Sequence, residues 1–397
     1  MVGEDAGKSV SKNKNVIVMG LVSLFNDISS EMIYPIVPIF LKTVLGAPVA
    51  VIGLIEGIAE STASLLKVVS GWFSDKIQKR KIFVTIGYSF SAVSKILIGL
   101  AKSWPFVLFA RFIDRFGKGT RTAARDALIL ESVAPEQRGR AFGLHRSMDS
   151  MGAVIGPLLA LLLVGLYDGN YRKIFFIAAI PSFIGVLLLI AFVKEKKKEH
   201  IIGQAEKPAV FKFRWSDFTP QFKFFLLITA IFSIGNSSDA FLILRAQSLG
   251  LSVTLTVAAY VLFNLTYSFF SYPAGIITDK IGSKKVLAVG FWLFALVYLM
   301  FGLIDKSFLV WFLFPLYGIY MGLTDGISKA YISTMIPTEK SGTAFGAHQT
   351  VIGVCVFVAS ATAGILWNKI NPSAPFYFGA ITSALAAILF TGYSCKK

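Results

Sequence analysis

Long apolar runs without charged residues constrain this 397-residue chain more than any other feature of its sequence. The stretches 180–190 and 286–300 contain no Asp, Glu, Lys or Arg. About 20 such residues cross the hydrocarbon core of a bilayer as a helix, because each residue rises about 1.5 Å. Charged residues make up 15% of the chain, against roughly 25% in soluble domains. These features predict an all-α polytopic membrane protein.

Apolar segments of this kind follow one another along the whole chain. In lipid every backbone amide needs an internal partner, which restricts spanning segments to helices or closed barrels. Uninterrupted runs exclude the alternating pattern of a barrel strand. We therefore predict about twelve transmembrane helices, near 16–41, 49–73, 82–101, 104–127, 139–166, 173–193, 221–247, 254–276, 286–304, 308–335, 342–367 and 373–394.

The formal net charge of +17 would suit a nucleic-acid-binding protein, but the basic residues lie in short connections between the predicted spans. They are concentrated in alternate connections, as the positive-inside rule requires of cytoplasmic loops. The sequence therefore predicts a multi-pass protein of the cytoplasmic membrane, with both termini in the cytoplasm and no nucleic-acid partner. The basic connections carry Lys8, Lys12 and Lys14; Lys76, Lys79, Arg80 and Lys81; Lys194, Lys196, Lys197 and Lys198; and Lys280, Lys284 and Lys285.

The chain repeats itself across a polar segment at 194–220. Parallel repeats of this kind suit a transporter whose site lies between its two halves. We predict six-helix bundles at 16–193 and 221–397, a cytoplasmic tail at 1–15 and a cytoplasmic linker at 194–220. The repeats pair Gly71-x-x-x-Asp75-Lys76 with Gly275-x-x-x-Asp279-Lys280, Gly139-x-Ala-Phe-Gly143 with Gly342-x-Ala-Phe-Gly346, and Ser29-Ser30-Glu31 with Ser237-Ser238-Asp239, at offsets of 204, 203 and 208.

Three motifs resemble those of the major facilitator superfamily. They are Gly71-x-x-x-Asp75-Lys76-x-x-Lys79-Arg80 after span two, Arg111-Phe-Ile-Asp114-Arg115-Phe-Gly117 in span four, and Gly152-x-x-x-Gly156-Pro157 in span five. The third is similar to the motif of the family's drug/proton antiporter branch. The resemblance covers nearly the whole chain and implies alternating access by rocking of two halves. Asp126, near the cytoplasmic end of span four, is expected to act with the motif residues, so the predicted gate and conformational set is Gly71, Asp75, Lys76, Asp126, Gly152, Gly156, Pro157, Gly275, Asp279 and Lys280.

Ionisable residues inside the predicted spans are candidate coupling groups, because a charge at the bilayer centre costs roughly 2.5–3.5 kcal/mol. Asp27 and Glu31 lie one turn apart on one face of span one, and two carboxylates at this spacing repel. One acid of this pair, or of the similar pair Glu56 and Glu60 in span two, is a candidate proton carrier. The alternative is structural ion pairing with Arg111 and Arg115. The predicted proton-coupling and solute cavity comprises Asp27, Glu31, Glu56, Glu60, Arg111, Arg115, Asp149, Asn236, Asp239, Arg245 and Asn264.

The sequence shows no Walker loop, no nucleophile with an oriented base and no metal-ligand spacing. We therefore expect neither an enzyme nor a cofactor. The leading interpretation is a monomeric secondary transporter that exports a small organic compound in exchange for protons, with the solute, protons and membrane lipid as its partners. The alternatives are transport of an anionic or metal-chelating solute, favoured by the basic stripe on span four, and a membrane-embedded enzyme.

Overall fold

The chain is seen in a computed structural model that describes residues 13–77, 79–133, 138–195, 218–336 and 341–392. Within these ranges the side chains at 68–69, 71–77, 138–140 and 341–342 are not described. All regular elements of the described ranges are helices, which confirms the predicted all-α class. Most of the predicted tail at 1–15 and linker at 194–220 lies outside the described residues.

The described residues form seven α-helices in each half of the chain. The first half contains α1 (Lys14–Ile33), α2 (Val37–Thr43), α3 (Val49–Ile77), α4 (Arg80–Leu100), α5 (Trp104–Ser132), α6 (Arg138–Leu166) and α7 (Tyr171–Phe192). The second half contains α8 (Pro220–Gly235), α9 (Ala240–Ser248), α10 (Val253–Ile281), α11 (Ser283–Leu303), α12 (Val310–Ser333), α13 (Ser341–Lys369) and α14 (Ala374–Gly392), with a short 3-10 helix, Ser307–Leu309, before α12.

Eleven helical segments of the described ranges are long and apolar enough to cross a bilayer. Helix α5 is not among them, because Arg111, Arg115, Lys118, Arg121 and Arg125 lower its hydropathy. Its 29 residues still extend about 43 Å at 1.5 Å per residue. The fold therefore accommodates the twelve crossings that the sequence predicts.

Two pairs of corresponding helices in the two halves match in length and in spacing. Helices α3 and α10 each have 29 residues and begin at Val49 and Val253, which are 204 positions apart. Helices α4 and α11 each have 21 residues and begin 203 positions apart. The repeat seen in the sequence is thus a repeat of structure, and these offsets identify equivalent positions in the two halves.

The first helix of each half is interrupted, where the sequence predicted continuous spans at 16–41 and 221–247. In the first half Pro35 lacks an N–H donor, and Pro38 stands in the first turn of α2, where proline is tolerated. In the second half α8 ends at Gly235, and Asn236 has a non-helical backbone with φ −88° and ψ 81°. Interrupted helices at corresponding positions of two repeats point to a solute site.

The bundle has two faces, which differ in the helix ends that lie there. The terminal face is the end where α1 begins and α14 ends; there, within the first half, Asn15 Nδ2 donates to the carbonyl oxygen of Lys194 at 2.8 Å. Toward the opposite face α3 and α13 pack tightly, because a Cβ on Gly364 would lie 2.7 Å from the Ala50 Cα. The two halves are therefore closed against each other at the opposite face.

Candidate functional site

A small polar cavity lies beside the break between α1 and α2. Its volume is about 40 Å³, which is room for about three water molecules or one carboxylate group. Helices α1 and α5 supply all of its walls. The cavity is lined by Asp27, Ser30, Glu31, Ile33, Tyr34, Arg111, Asp114, Arg115, Lys118 and Arg121.

Two arginines of α5 pair with the two acids of α3. Arg111 Nη2 lies 2.5 Å from Glu56 Oε2, and these side chains are only 3% and 1% exposed. Arg115 Nη2 lies 2.8 Å from Glu60 Oε1, and Glu60 is 33% exposed. The predicted alternative of structural ion pairing therefore describes Glu56 and Glu60.

The two acids of α1 have a different environment. Neither Asp27 nor Glu31 has a cationic group within 4 Å among the described residues. Asp27 accepts a hydrogen bond from Asn26 Nδ2 at 3.3 Å. Glu31 accepts one at 3.0 Å from the hydroxyl of Tyr260, which belongs to the second half. These acids thus line the cavity with their charge uncompensated by a direct ion pair.

Helix α6 packs directly behind these acids through two glycines. A Cβ on Gly152 would lie 2.8 Å from the Asp27 Cβ, and a Cβ on Gly156 would lie 2.8 Å from the Glu31 Cβ. Pro157 follows inside the same helix and is buried. The three motif residues of span five therefore fix the distance between α6 and the acidic face of α1.

A third ion pair crosses from α4 to α5. Lys95 Nζ lies 3.1 Å from Asp114 Oδ1 and is fully buried. The same ammonium donates to Ser30 Oγ at 3.2 Å, which connects α4 to α1. The sequence analysis did not select Lys95, although it is the single charged residue of the run 82–101 and was therefore a visible signal.

Two further cations of α5 have no carboxylate within 4 Å in the described part of the chain. Lys118 lines the cavity without such a partner. Arg121 is 5% exposed and donates to Ser91 Oγ at 2.5 Å. Arg125 differs, since its Nη2 lies 2.9 Å from Asp126, the predicted gate residue.

The predicted residues of the second half occupy two separate places. Asp239 accepts a 2.6 Å hydrogen bond from the Tyr317 hydroxyl, and Asn236 Nδ2 donates to Tyr320 at 3.3 Å. Asn264 Nδ2 donates to the Tyr260 carbonyl at 3.1 Å, one turn earlier in α10. Arg245 does not join them: its Nε and Nη2 donate to the carbonyls of Phe301 and Ile304 at 3.0 and 2.8 Å, where they cap the end of α11.

Tyrosines of the second half stand where the first half has charged residues. The offset of 204 between α3 and α10 makes Tyr260 the counterpart of Glu56. The offset of 203 between α4 and α11 pairs Lys95 with Tyr298, whose ring lies 6.3 Å from that of Tyr317 in α12. Sequence reasoning missed these tyrosines because aromatic residues are abundant throughout the chain. The first half thus carries charge, and the second half presents rings and hydroxyl groups at equivalent positions.

A second contact between the halves lies toward the terminal face. Arg146 of α6 donates from Nη2 to the Tyr267 hydroxyl at 3.1 Å and lies 3.3 Å from Asp325 Oδ2 of α12. Tyr267 donates to the same carboxylate at 2.7 Å. The predicted cavity residue Asp149 is nearby, 3.8 Å from His145 and 4.0 Å from Arg146. Sequence reasoning did not select Arg146.

Two of the predicted gate residues of the second half, Gly275 and Asp279, line an open cleft of about 540 Å³. Among the described residues, no atom outside its own helix backbone lies within 4 Å of a Cβ built on Gly275, so this glycine mediates no close approach to another described helix in this conformation. Asp279 and Lys280 are exposed. Their repeat partners Gly71, Asp75 and Lys76 lie outside the described side chains.

Relatives and solved structures agree with this architecture. The family model described as Major Facilitator Superfamily matches residues 19–245 and 224–394. An uncharacterized MFS-type transporter of Methanocaldococcus jannaschii is 38% identical over 98% of this chain and 99% of its own length. A cis,cis-muconate transport protein of Acinetobacter baylyi is 24% identical over 75% and 74% of the two chains.

The fold is also shared with a solved nucleoside transporter. The two structures superpose with a TM-score of 0.77 over 95% of this chain and 98% of the other, at 13% identity. An identity this low supports the fold but not the solute. With the family match over residues 19–394, two helical repeats and a polar cavity beside an interrupted helix, the chain belongs to the major facilitator superfamily and is a solute transporter.

Proposed function

We propose that this chain is a proton-coupled secondary transporter that moves a small organic solute across the cytoplasmic membrane by alternating access. The observation that carries the proposal is the pair Asp27 and Glu31, which line the cavity without a direct cationic partner in the described structure. A carboxylate in this environment is stabilised by taking up a proton. A proton that binds and leaves is a usable coupling event.

Glu31 also offers a route from protonation to conformational change. Its carboxylate accepts a hydrogen bond from Tyr260, so it belongs to the contact between the halves. A hydrogen bond to an ionised acceptor is roughly twice as strong as one to a neutral group. Protonation of Glu31 therefore weakens an inter-half contact on the side that is closed here. That change shifts the equilibrium away from the conformation that is closed at the opposite face, and alternating access depends on this equilibrium.

Two coupling modes follow from the charge of the solute. A neutral or cationic solute competes with protons for Asp27 and Glu31, and this competition gives the proton-driven efflux of the drug/proton antiporter branch. An anionic solute binds best when these acids are protonated, which gives co-transport. Lys118 and Arg121 favour the second candidate, because neither has a carboxylate within 4 Å among the described residues.

The basic connections between the helices lie at the terminal face, which supports a cytoplasmic location for this face. The repeated glycine-aspartate-lysine segments at the ends of α3 and α10 then close this face in the alternate conformation, with Asp75 and Asp279 as hydrogen-bond acceptors. The first bundle, the second bundle and the linker between them act together as a monomer.

Proteoliposomes loaded with a pH-sensitive dye test the proposal. A panel of organic acids, nucleosides and organic cations is added outside, and internal pH and counterflow of each solute are recorded. We expect one class to exchange unchanged across the membrane and to move protons with it. Counterflow without any proton movement would refute proton coupling. Chemical conversion of the solute would favour the membrane-embedded enzyme instead.

A further inference from the structure

We propose that the cavity binds the acid group of a small organic anion through Lys118, Arg115 and Arg121, so that anion and proton are carried together. This inference rests on the proposed transport function and selects its second candidate. It concerns the central site itself rather than a separate one.

The pairing of charges around the cavity leaves cations available. Arg111 and Lys95 are committed to the buried acids Glu56 and Asp114. Arg115 pairs with Glu60, which is 33% exposed. Lys118 has no carboxylate within 4 Å in the described structure, and Arg121 donates to uncharged groups. The charges that remain to offset them are Asp27 and Glu31, which are themselves without a direct ion pair.

The two arginines that form ion pairs with α3 also have N–H donors without a hydrogen-bond partner among the described residues, as a site for an anion would. The Nε atoms of Arg111 and Arg115 are buried and have no hydrogen-bond partner in the described part of the chain. Both side chains line the cavity, and each is at most 8% exposed. Burial of an unpaired donor costs roughly 1–3 kcal/mol. The guanidinium groups of Arg111 and Arg115 also line the cavity, and a guanidinium offers a fork of N–H groups that matches a carboxylate.

The size and lining of the cavity limit the ligand. A space of about 40 Å³ holds one carboxylate-sized group of about three heavy atoms. Tyr34 lines the same space, and its ring stacks on Tyr260 at 5.7 Å between centroids. An apolar carbon chain or ring can pack on these two tyrosines. The ligand class is therefore a small carboxylate with a compact apolar body.

Protonation of the α1 acids and binding of the anion reinforce each other. When Asp27 and Glu31 are ionised, they balance Lys118 and Arg121 and repel an anion; when they are protonated, the cavity is left with a positive excess. Because the binding of the anion and of the proton are thermodynamically linked, a bound anion in turn raises the proton affinity of Asp27 and Glu31. Charged and hydrogen-bonding groups of six helices surround Asp27 and Glu31 and influence their protonation. They are Glu60 from α3, Lys95 from α4 through Ser30, Arg115, Lys118 and Arg121 from α5, Asp149 from α6, Ser182 from α7 through Asn26, and Tyr260 from α10.

Ligand-induced thermal stabilisation of the purified full chain tests this inference, because ligands that bind the folded state raise its melting temperature. The probes are acetate, benzoate and cis,cis-muconate, each compared with its uncharged amide or methyl ester. We expect at least one anion to stabilise the protein, more strongly at about pH 5.5 than at about pH 8, and the neutral analogues to have no such effect.

Three variants identify the binding group. Lys118→Gln should raise the Kd of the anion about tenfold or more, since a charge-assisted hydrogen bond is lost. Lys118→Arg should retain binding, and Lys173→Gln, which removes an exposed lysine of α7, should leave Kd unchanged. Equal binding of acids and amides, or normal anion binding by Lys118→Gln, would overturn the inference.

The outcomes separate this inference from the proposed function. Proton-coupled flux of a neutral or cationic solute, with no anion bound, would overturn the anion site and leave the transporter standing. Anion binding that depends on Lys118, with no proton movement in the liposome assay, would overturn proton coupling and leave the site standing.

Discussion

Replacing Glu56 by glutamine should destabilise the protein far more than replacing Asp27 by asparagine. Glu56 and Arg111 form a pair that is almost completely buried, with a 2.5 Å contact and side chains 1% and 3% exposed. Removal of one partner from such a pair costs about 3–5 kcal/mol, because the other charge remains buried and unpaired. Asp27 has no such partner in the described structure, so Asp27→Asn should change the free energy of unfolding by less than about 1 kcal/mol.

Glu60 provides an intermediate case. Its contact with Arg115 is 2.8 Å, but its side chain is 33% exposed, and solvent screening reduces the loss in Glu60→Gln to about 1 kcal/mol. The double variant Glu56→Gln/Arg111→Gln should recover part of the loss seen in Glu56→Gln, because it removes the orphaned cation as well.

Unfolding by SDS titration in mixed micelles gives the free energies for the whole series. The expected order of destabilisation is Glu56→Gln, then Glu60→Gln, then Asp27→Asn. Equal losses for Glu56→Gln and Asp27→Asn would refute the division between structural and unpaired acids. Strict additivity of the two single variants in the double variant would show that Glu56 and Arg111 do not interact.

Three further outcomes are expected. Gly156→Ala should lower the free energy of unfolding by about 1–3 kcal/mol, because its Cβ would lie 2.7 Å from the Ile28 carbonyl oxygen. Gly143→Ala is the control, since no described atom of another element lies within 4 Å of a Cβ at Gly143, and it should not lower stability. Thermal unfolding of both variants checks this. Arg146→Ala should widen the distance between spin labels on α6 and α12, because it removes the bridge to Asp325; an unchanged distance distribution would show that the bridge does not hold this face. A single cysteine in the linker 194–220 should resist an impermeant reagent applied outside right-side-out vesicles, and strong labelling would reverse the proposed orientation.

The sequence predicts the crossings and the repeat well, because both are written in local patterns. Apolar runs about 20 residues long identify the spans, and the Gly-x-x-x-Asp-Lys pattern of residues 71–76 recurs at 275–280. The interruption of α1 had a visible cause in Pro35, but the interruption of α8 has no proline and depends on the backbone at Asn236. The predicted spans at 16–41 and 221–247 missed both breaks, although the sequence offered a local signal for the first.

The pairing of charges could not be predicted from spacing alone. Arg111 pairs with Glu56, 55 positions earlier, and not with the acids of α1. Helical periodicity places residues on a face, but it does not say which neighbouring helix that face meets. Arg245 illustrates the same limit, since its position suggested the cavity and its partners are backbone carbonyls at the end of α11.

Flux driven by a pH gradient in proteoliposomes tests the central claim most directly, namely that Asp27 and Glu31 carry the coupled proton. The wild-type chain is compared with Asp27→Asn/Glu31→Gln, which keeps side-chain size and removes titration. Gradient-driven flux should fall at least about tenfold in the double variant, the loss expected when an essential proton carrier is removed. Exchange of solute for solute, which needs no net proton movement, should continue. Full gradient-driven flux in the double variant would contradict the account and assign the proton to other groups.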